Sequence, residues 1–193
     1  KDNVYYNPAD FGLNYYAFGE INVYAVDIVP ENNKSFINGK NSILTVRFKL
    51  DKDKNLIPVK PEVLKIKGDV SLSVYGSESS GRSNKIGFQK ITVSLNSTEL
   101  QEINFSKISS FHTYRSCFVL DNYKSRMNGR PFKYFTHTKD GNTLLGFKNQ
   151  QVGAGLIRSE EFKEGENEIS LMLYGISPNP AIIKLNAIKD NTD

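Results

Sequence analysis

The sequence predicts an all-β fold, an antiparallel β-sandwich of jelly-roll-like type with about ten strands and little helix. Three observations carry that expectation: a two-residue hydrophobic period in five separate stretches, turn dipeptides between them, and a side-chain inventory suited to sheets. The inventory holds 12 Phe and 10 Tyr but no Trp. Aromatic and β-branched side chains fit a pleated, half-buried surface.

The clearest strands alternate apolar and polar residues, as antiparallel sheets do when one face packs and the other meets water. In 42–50, Leu44, Val46, Phe48 and Leu50 share one face against Thr45, Arg47 and Lys49. Val70, Leu72 and Val74 alternate with Ser71 and Ser73 in 69–75, and 90–96 turns Ile91, Val93 and Leu95 inward. Ile169, Leu171 and Leu173 repeat the pattern, followed by Ile183, Leu185 and Ala187. Further strands are expected at 21–29, 65–67, 114–120, 133–137, 144–147 and 155–158. The pairs Asn38-Gly39, Asn128-Gly129, Asp140-Gly141 and Glu164-Gly165 mark turns. One helical turn is expected at 98–103, where Thr98 and Gln101 have capping-box spacing. The stretches 76–85 and 121–131 read as loops.

A chain of 193 residues suits one sandwich domain spanning 1–193, since no repeat or long linker divides it. An aromatic N-terminal segment, 1–18, is expected to pack on the sandwich, and 190–193 reads as a tail. The single cysteine, Cys117, rules out an intrachain disulfide. No stretch approaches the ~18 apolar residues of a membrane span. The chain begins at Lys1, not at Met, so something is expected to precede it in the gene; a cleaved signal peptide, a polyprotein junction and simple trimming would all look the same. A secreted, periplasmic or surface-exposed location is expected, with a virion as the alternative. Twenty Asn and nineteen Lys fit the coding bias of AT-rich bacterial and phage genomes.

No arrangement of residues spells out catalysis. The sequence lacks a nucleophile elbow, a phosphate-cradling glycine loop and a zinc-type cluster. His112 and Cys117 are an odd number of residues apart, which on one strand sends them to opposite faces. Asp51, Asp53, Asn55 and Glu62 match the positions of calcium-loop oxygen ligands. Leu56 stands where that loop turns on glycine, and Pro58 and Pro61 forbid the exiting helix, so a polar hairpin turn between Leu50 and Ile57 is the better reading. No metal or other cofactor is expected.

The most distinctive stretch is 112–139. It carries Arg115, Lys124, Arg126, Arg130, Lys133 and Lys139 against one acid, Asp121, while the whole chain has a net charge of only +4. Tyr114, Tyr123, Phe132, Tyr134 and Phe135 are interleaved with these cations. Cations beside exposed rings can grip sulfate, phosphate or carboxylate while the rings stack on a sugar or base. The candidate ligand-binding residues are therefore Arg115, Tyr123, Lys124, Arg126, Arg130, Lys133 and Tyr134. Against this stands the simpler arrangement, in which the rings face the core and the charges solvate an outer surface. Nothing resembles a single-strand RNA platform, so sequence-specific nucleic-acid reading is not expected.

The expected function is a non-enzymatic binding or assembly module that recognises a glycan, including an anionic one, or a protein partner. Two alternatives remain: a structural subunit of a virion or secretion-type assembly, and a hydrolase whose carboxylates only folding brings together.

Overall fold

A computed structural model of the protein describes residues 4–6, 20–52, 55–60, 63–79, 85–105, 107–109, 117–121, 132–144 and 146–191, with 4–6 and 107–109 as backbone strands. The strands among them are β1 (Val4–Tyr6), β2 (Ile21–Pro30), β3 (Phe36–Ile37), β4 (Leu44–Leu50), β5 (Leu56–Pro58), β6 (Leu64–Lys67) and β7 (Val70–Ser79). They continue with β8 (Lys85–Ile86), β9 (Lys90–Leu95), β10 (Thr98–Asn104), β11 (Lys107–Ser109), β12 (Lys133–Phe135), β13 (Glu166–Tyr174) and β14 (Ala181–Lys189). A first sheet runs β10-β9-β13-β14-β6-β3. A second runs β12-β7-β2-β4-β5 with β8 also on β7, and β1 pairs with β11 alone. Strands β6 and β14 run parallel. The fold is an all-β sandwich, as the alternation requires.

The two sheets share one apolar core. The first contributes Ile91, Val93, Ile169, Leu171, Leu173, Ile183, Leu185 and Ala187; the second contributes Val26, Ile28, Val70, Leu72 and Val74. Each fully buried aliphatic side chain stabilises the fold by about 1.5–3 kcal/mol relative to exposure. The period of two fixes which face each residue takes, so these inward residues are the ones the alternation selects. On β7 both faces are dry: Ser71, Ser73 and Ser77 are buried as well as the valines and leucine.

Several expectations change. The helical turn at 98–103 is instead strand β10, paired with β9. Asn96 and Ser97 take φ of 50° and 68°, the left-handed pair that a two-residue hairpin demands. Asn96 can hold it because its side-chain amide donates to Asn167 Oδ1 and its carbonyl oxygen accepts from Glu168 N. That turn overrides the local capping signal. The loop expected at 76–85 shrinks, because β7 continues to Ser79 and pairs with β8. Gly76 lets it do so: a Cβ there would lie 2.5 Å from the Phe88 ring and 2.8 Å from Asn22 O. Among the described residues, stretches 144–147 and 155–158 contribute only single bridges, Ile103 to Phe147 and Val70 to Ile157. Of 114–120, the described part is a tight turn ending in a bridge from Leu120 to Tyr134. The Asn128-Gly129 turn and most of 1–18 lie outside the described residues.

Two of the sheet edges are covered by irregular chain. Residues 146–148 lie against β10, with Asn104 N donating to Gly146 O and Lys148 N to Glu102 O. On the other sheet 119–121 lies against β12, with Phe135 N donating to Val119 O and Asp121 N to Lys133 O. Edge strand β5 uses residues 55 and 59 to bond β4. Its outward position 58 is proline, which has no N–H to offer another strand.

Candidate binding site

The register brings several strand ends together at one end of the sandwich. Ile21 sits opposite Glu78, Leu50 opposite Leu56, and Leu173 opposite Ala181. Leu50 and the turn 175–180 therefore lie at the end of the sandwich where β7 finishes. Phe132 lies at the same end, its carbonyl accepting from Gly76 N.

Glu78 joins the two sheets at this end. It is fully buried, and its two carboxylate oxygens accept from Ile176 N at 2.6 Å and Ser177 N at 2.8 Å. A Cβ on Gly175 would lie against this carboxylate. The first strand-to-strand turn after Tyr174 is thus clamped from below, because leaving a buried acceptor without these donors costs its desolvation. Nothing in the sequence flags Glu78 except its place in a run that otherwise reads as a polar loop.

Beside the clamp lies a cleft of about 400 Å³ lined by Glu20, Ile21, Leu50, Leu56, Asn179 and Ile182, among others. Leu50 and Ile182 remain 42% and 44% exposed. Asn55 lies at its edge, with the Asp51 carboxylate accepting from Asn55 N and from the Asn55 side-chain amide. Asp51 is thereby used as a turn-forming residue, and the hairpin between Leu50 and Ile57 is present. Asp53 and Glu62, the other residues at calcium-loop positions, lie outside the described residues. No group of three or more His, Cys, Asp or Glu is placed to hold a metal among the described residues.

The basic stretch divides. Arg115, Tyr123, Lys124, Arg126 and Arg130 lie outside the described residues. Lys133 and Tyr134 are described, and neither stands on an open surface: they are 3% and 4% exposed. Tyr134 points into the core, with its ring 5.1 Å from Phe88 and its hydroxyl accepting from Phe88 N. Burial pushes its phenol well above the ordinary range. This corrects the expected stacking role, because alternation along β12 sends residue 134 inward.

Lys133 faces the other side of the second sheet and is spoken for by acids. Its Nζ lies 2.8 Å from Asp27 Oδ2 and 3.9 Å from Asp121 Oδ2, and 4.9 Å from the Tyr75 ring centroid. Asp27 also accepts from Thr45 Oγ1 at 2.6 Å and from the Tyr75 hydroxyl at 2.9 Å. Burial alone would raise the Asp27 pKa; the bonds from Lys133 and Thr45, the Lys133 charge and the Tyr75 bond together bring it below the ordinary value. A surface role for Lys133 as a ligand-gripping cation is corrected accordingly. Lys139, by contrast, seats its Nζ 3.0 Å from the Phe135 centroid. Burial lowers its pKa, opposed by Asp121 and Cys117.

Cys117 is exposed. His137 is half-buried, and its Nδ1 is buried with no hydrogen-bond partner among the described residues. Burial lowers the imidazole pKa, Glu31 opposes that, and Lys139 adds to it. His112 lies outside the described residues. No known protein family, curated protein or solved structure matches this chain.

Proposed function

We propose that this protein is a non-enzymatic recognition module whose loop end engages a protein partner through a segment carrying acidic and aliphatic side chains. The observation that carries this is the cleft, whose aliphatic lining of Leu50, Leu56 and Ile182 stays partly exposed at the end from which the most basic connection departs. Exposed aliphatic side chains grouped in a concavity suit a partner's aliphatic side chain. Connections 80–84 and 122–131 carry Arg82, Lys124, Arg126 and Arg130 and no acid. Opposite charge on the partner would speed encounter and fix its register. An exported or surface location fits such a role, and a site within a larger assembly fits it equally.

An array that sets acidic, leucine-containing peptides beside sulfated and neutral glycans tests this. Salt-sensitive peptide binding is expected, weakened about tenfold or more by Ile182→Asp and by Arg126→Ala with Arg130→Ala, a loss of about 1.4 kcal/mol or more. Binding to glycans alone, unchanged by Ile182→Asp, would turn the reading toward carbohydrate recognition by the basic connection.

A further inference from the structure

The Lys133–Asp27 contact places an amine against a carboxyl with almost no water beside them, each side chain being 4% exposed. We propose that the folded protein joins these two side chains covalently, forming an amide between Lys133 Nζ and Asp27 Cγ with release of water. This goes beyond the recognition role and holds whether or not the loop end binds a protein.

Three features of the site carry the inference. The reacting groups come from strands that are not neighbours. Lys133 on β12 is paired with Tyr75 on β7, and β7 in turn lies beside β2. The lysine stem crosses the intervening strand over the Tyr75 ring to reach Asp27, which removes nearly all of its freedom. A second carboxyl, Asp121, lies 3.9 Å from the same nitrogen. Two hydroxyls, Thr45 and Tyr75, point their protons at the Asp27 oxygens.

These groups match what condensation requires. Proton transfer along the 2.8 Å hydrogen bond turns the ammonium and carboxylate into an amine and a carboxylic acid with no change in total charge. Burial works toward that neutral pair by disfavouring both charges, while the bonds and charge around Asp27 hold it ionised until the transfer. The nitrogen lone pair then adds to Asp27 Cγ. Thr45 donates to Oδ1, the oxygen that gains charge, as a donor does in an oxyanion site, while Tyr75 donates to Oδ2, the oxygen that leaves. Asp121 accepts the second proton from nitrogen and passes it to the hydroxyl that leaves, so that one water departs and the C–N bond remains. No oxidant or external reagent is needed. Amides in dilute water do not form spontaneously from such groups, but held groups reach effective molarities of about 10⁵–10⁸ M. The resulting link would close the chain between residues 106 apart and tie β12 to β2 across β7.

Intact-mass measurement on the purified full chain decides the matter. The expected mass is one water below that of the sequence, with a branched peptide joining the segment of Asp27 to that of Lys133. A folded chain that keeps its full mass after days at neutral pH overturns the proposal. Lys133→Arg retains a cation over Tyr75 but has no amine to acylate, so its full mass is expected. A water loss that persists in this variant would belong elsewhere in the chain and would equally overturn it. Asp121→Ala leaves the reacting pair in place and is expected to accumulate unlinked chain; an unchanged linked fraction removes Asp121 as the proton acceptor.

Discussion

Two lysine–carboxylate pairs on this molecule share nearly the same distance and differ in almost everything else. Lys133 and Asp27 meet at 2.8 Å on the second sheet with 4% of each side chain exposed. Lys184 and Glu168 meet at 3.0 Å on the outer face of the first sheet with 61% and 39% exposed. In the wet pair both ions keep most of their hydration, so contact contributes little beyond what water already supplied. In the dry pair each ion has lost that hydration, and its partners are the whole of its compensation. Distance alone does not rank the two; the dielectric around them does.

The largest expected effect comes from breaking the dry pair on one side. Asp27→Ala takes the nearer carboxylate from a buried Lys133 ammonium, leaving Asp121 at 3.9 Å, and should destabilise the protein by about 3–5 kcal/mol in urea unfolding. Asp27→Leu with Lys133→Met removes both charges, and a double-mutant comparison should regain a large part of that loss. If the double variant is no better than Asp27→Ala, the cost lies in packing or in the lost link between β2 and β12, not in a stranded charge.

A purely apolar substitution sets the scale beside these. Leu171→Ala in the shared core should cost about 2–5 kcal/mol by thermal or urea unfolding. The Asp27 variant falling far below it would mean that water reaches the polar site.

The pH response separates a half-buried group from the exposed ones. His137 has its pKa lowered by burial, against the opposing pull of Glu31. The unfolded chain therefore binds a proton near pH 6.5 while the folded chain still does not. Stability contributed by neutral His137 is complete above that pH, declines as pH falls below it, and levels off beneath the folded pKa. His137→Gln should flatten this part of the urea midpoint curve. An unaltered slope in the variant would place the titration elsewhere, for example at His112.

The smallest effect is expected at the wet pair. Lys184→Ala should change stability by about 0.5 kcal/mol or less, and less still in high salt. A loss comparable to that at Asp27 would end the contrast between the two faces.

The binding regions divide along similar lines. Residues 112–139 were conspicuous because composition counts charges and rings without knowing where they point. Alternation along β12 then sends Tyr134 into the core and Lys133 to the other face, where it meets Asp27. No rule of spacing could pair residues 27 and 133, since two strand crossings bring them together. The same holds for Glu78, which reads as part of a polar loop until β7 runs on to Ser79 and the turn after Tyr174 folds over it. The cleft at the loop end was illegible for the same reason: Leu50 and Ile182 are ordinary members of two alternating strands.

What the sequence by itself determined was the class of fold and the inward face of its main strands. A period of two is a local property, and Val93, Leu171 and Leu185 lie inward wherever their strands pair. Turn chemistry was determined less firmly, because Asn96-Ser97 needed the Asn167 and Glu168 contacts to hold its left-handed backbone. Tertiary structure alone decided which charges are dry, which carboxylates clamp loops and where a cleft opens. Those depend on the dielectric and on contacts between residues far apart in the chain, and neither is written in any short stretch of sequence.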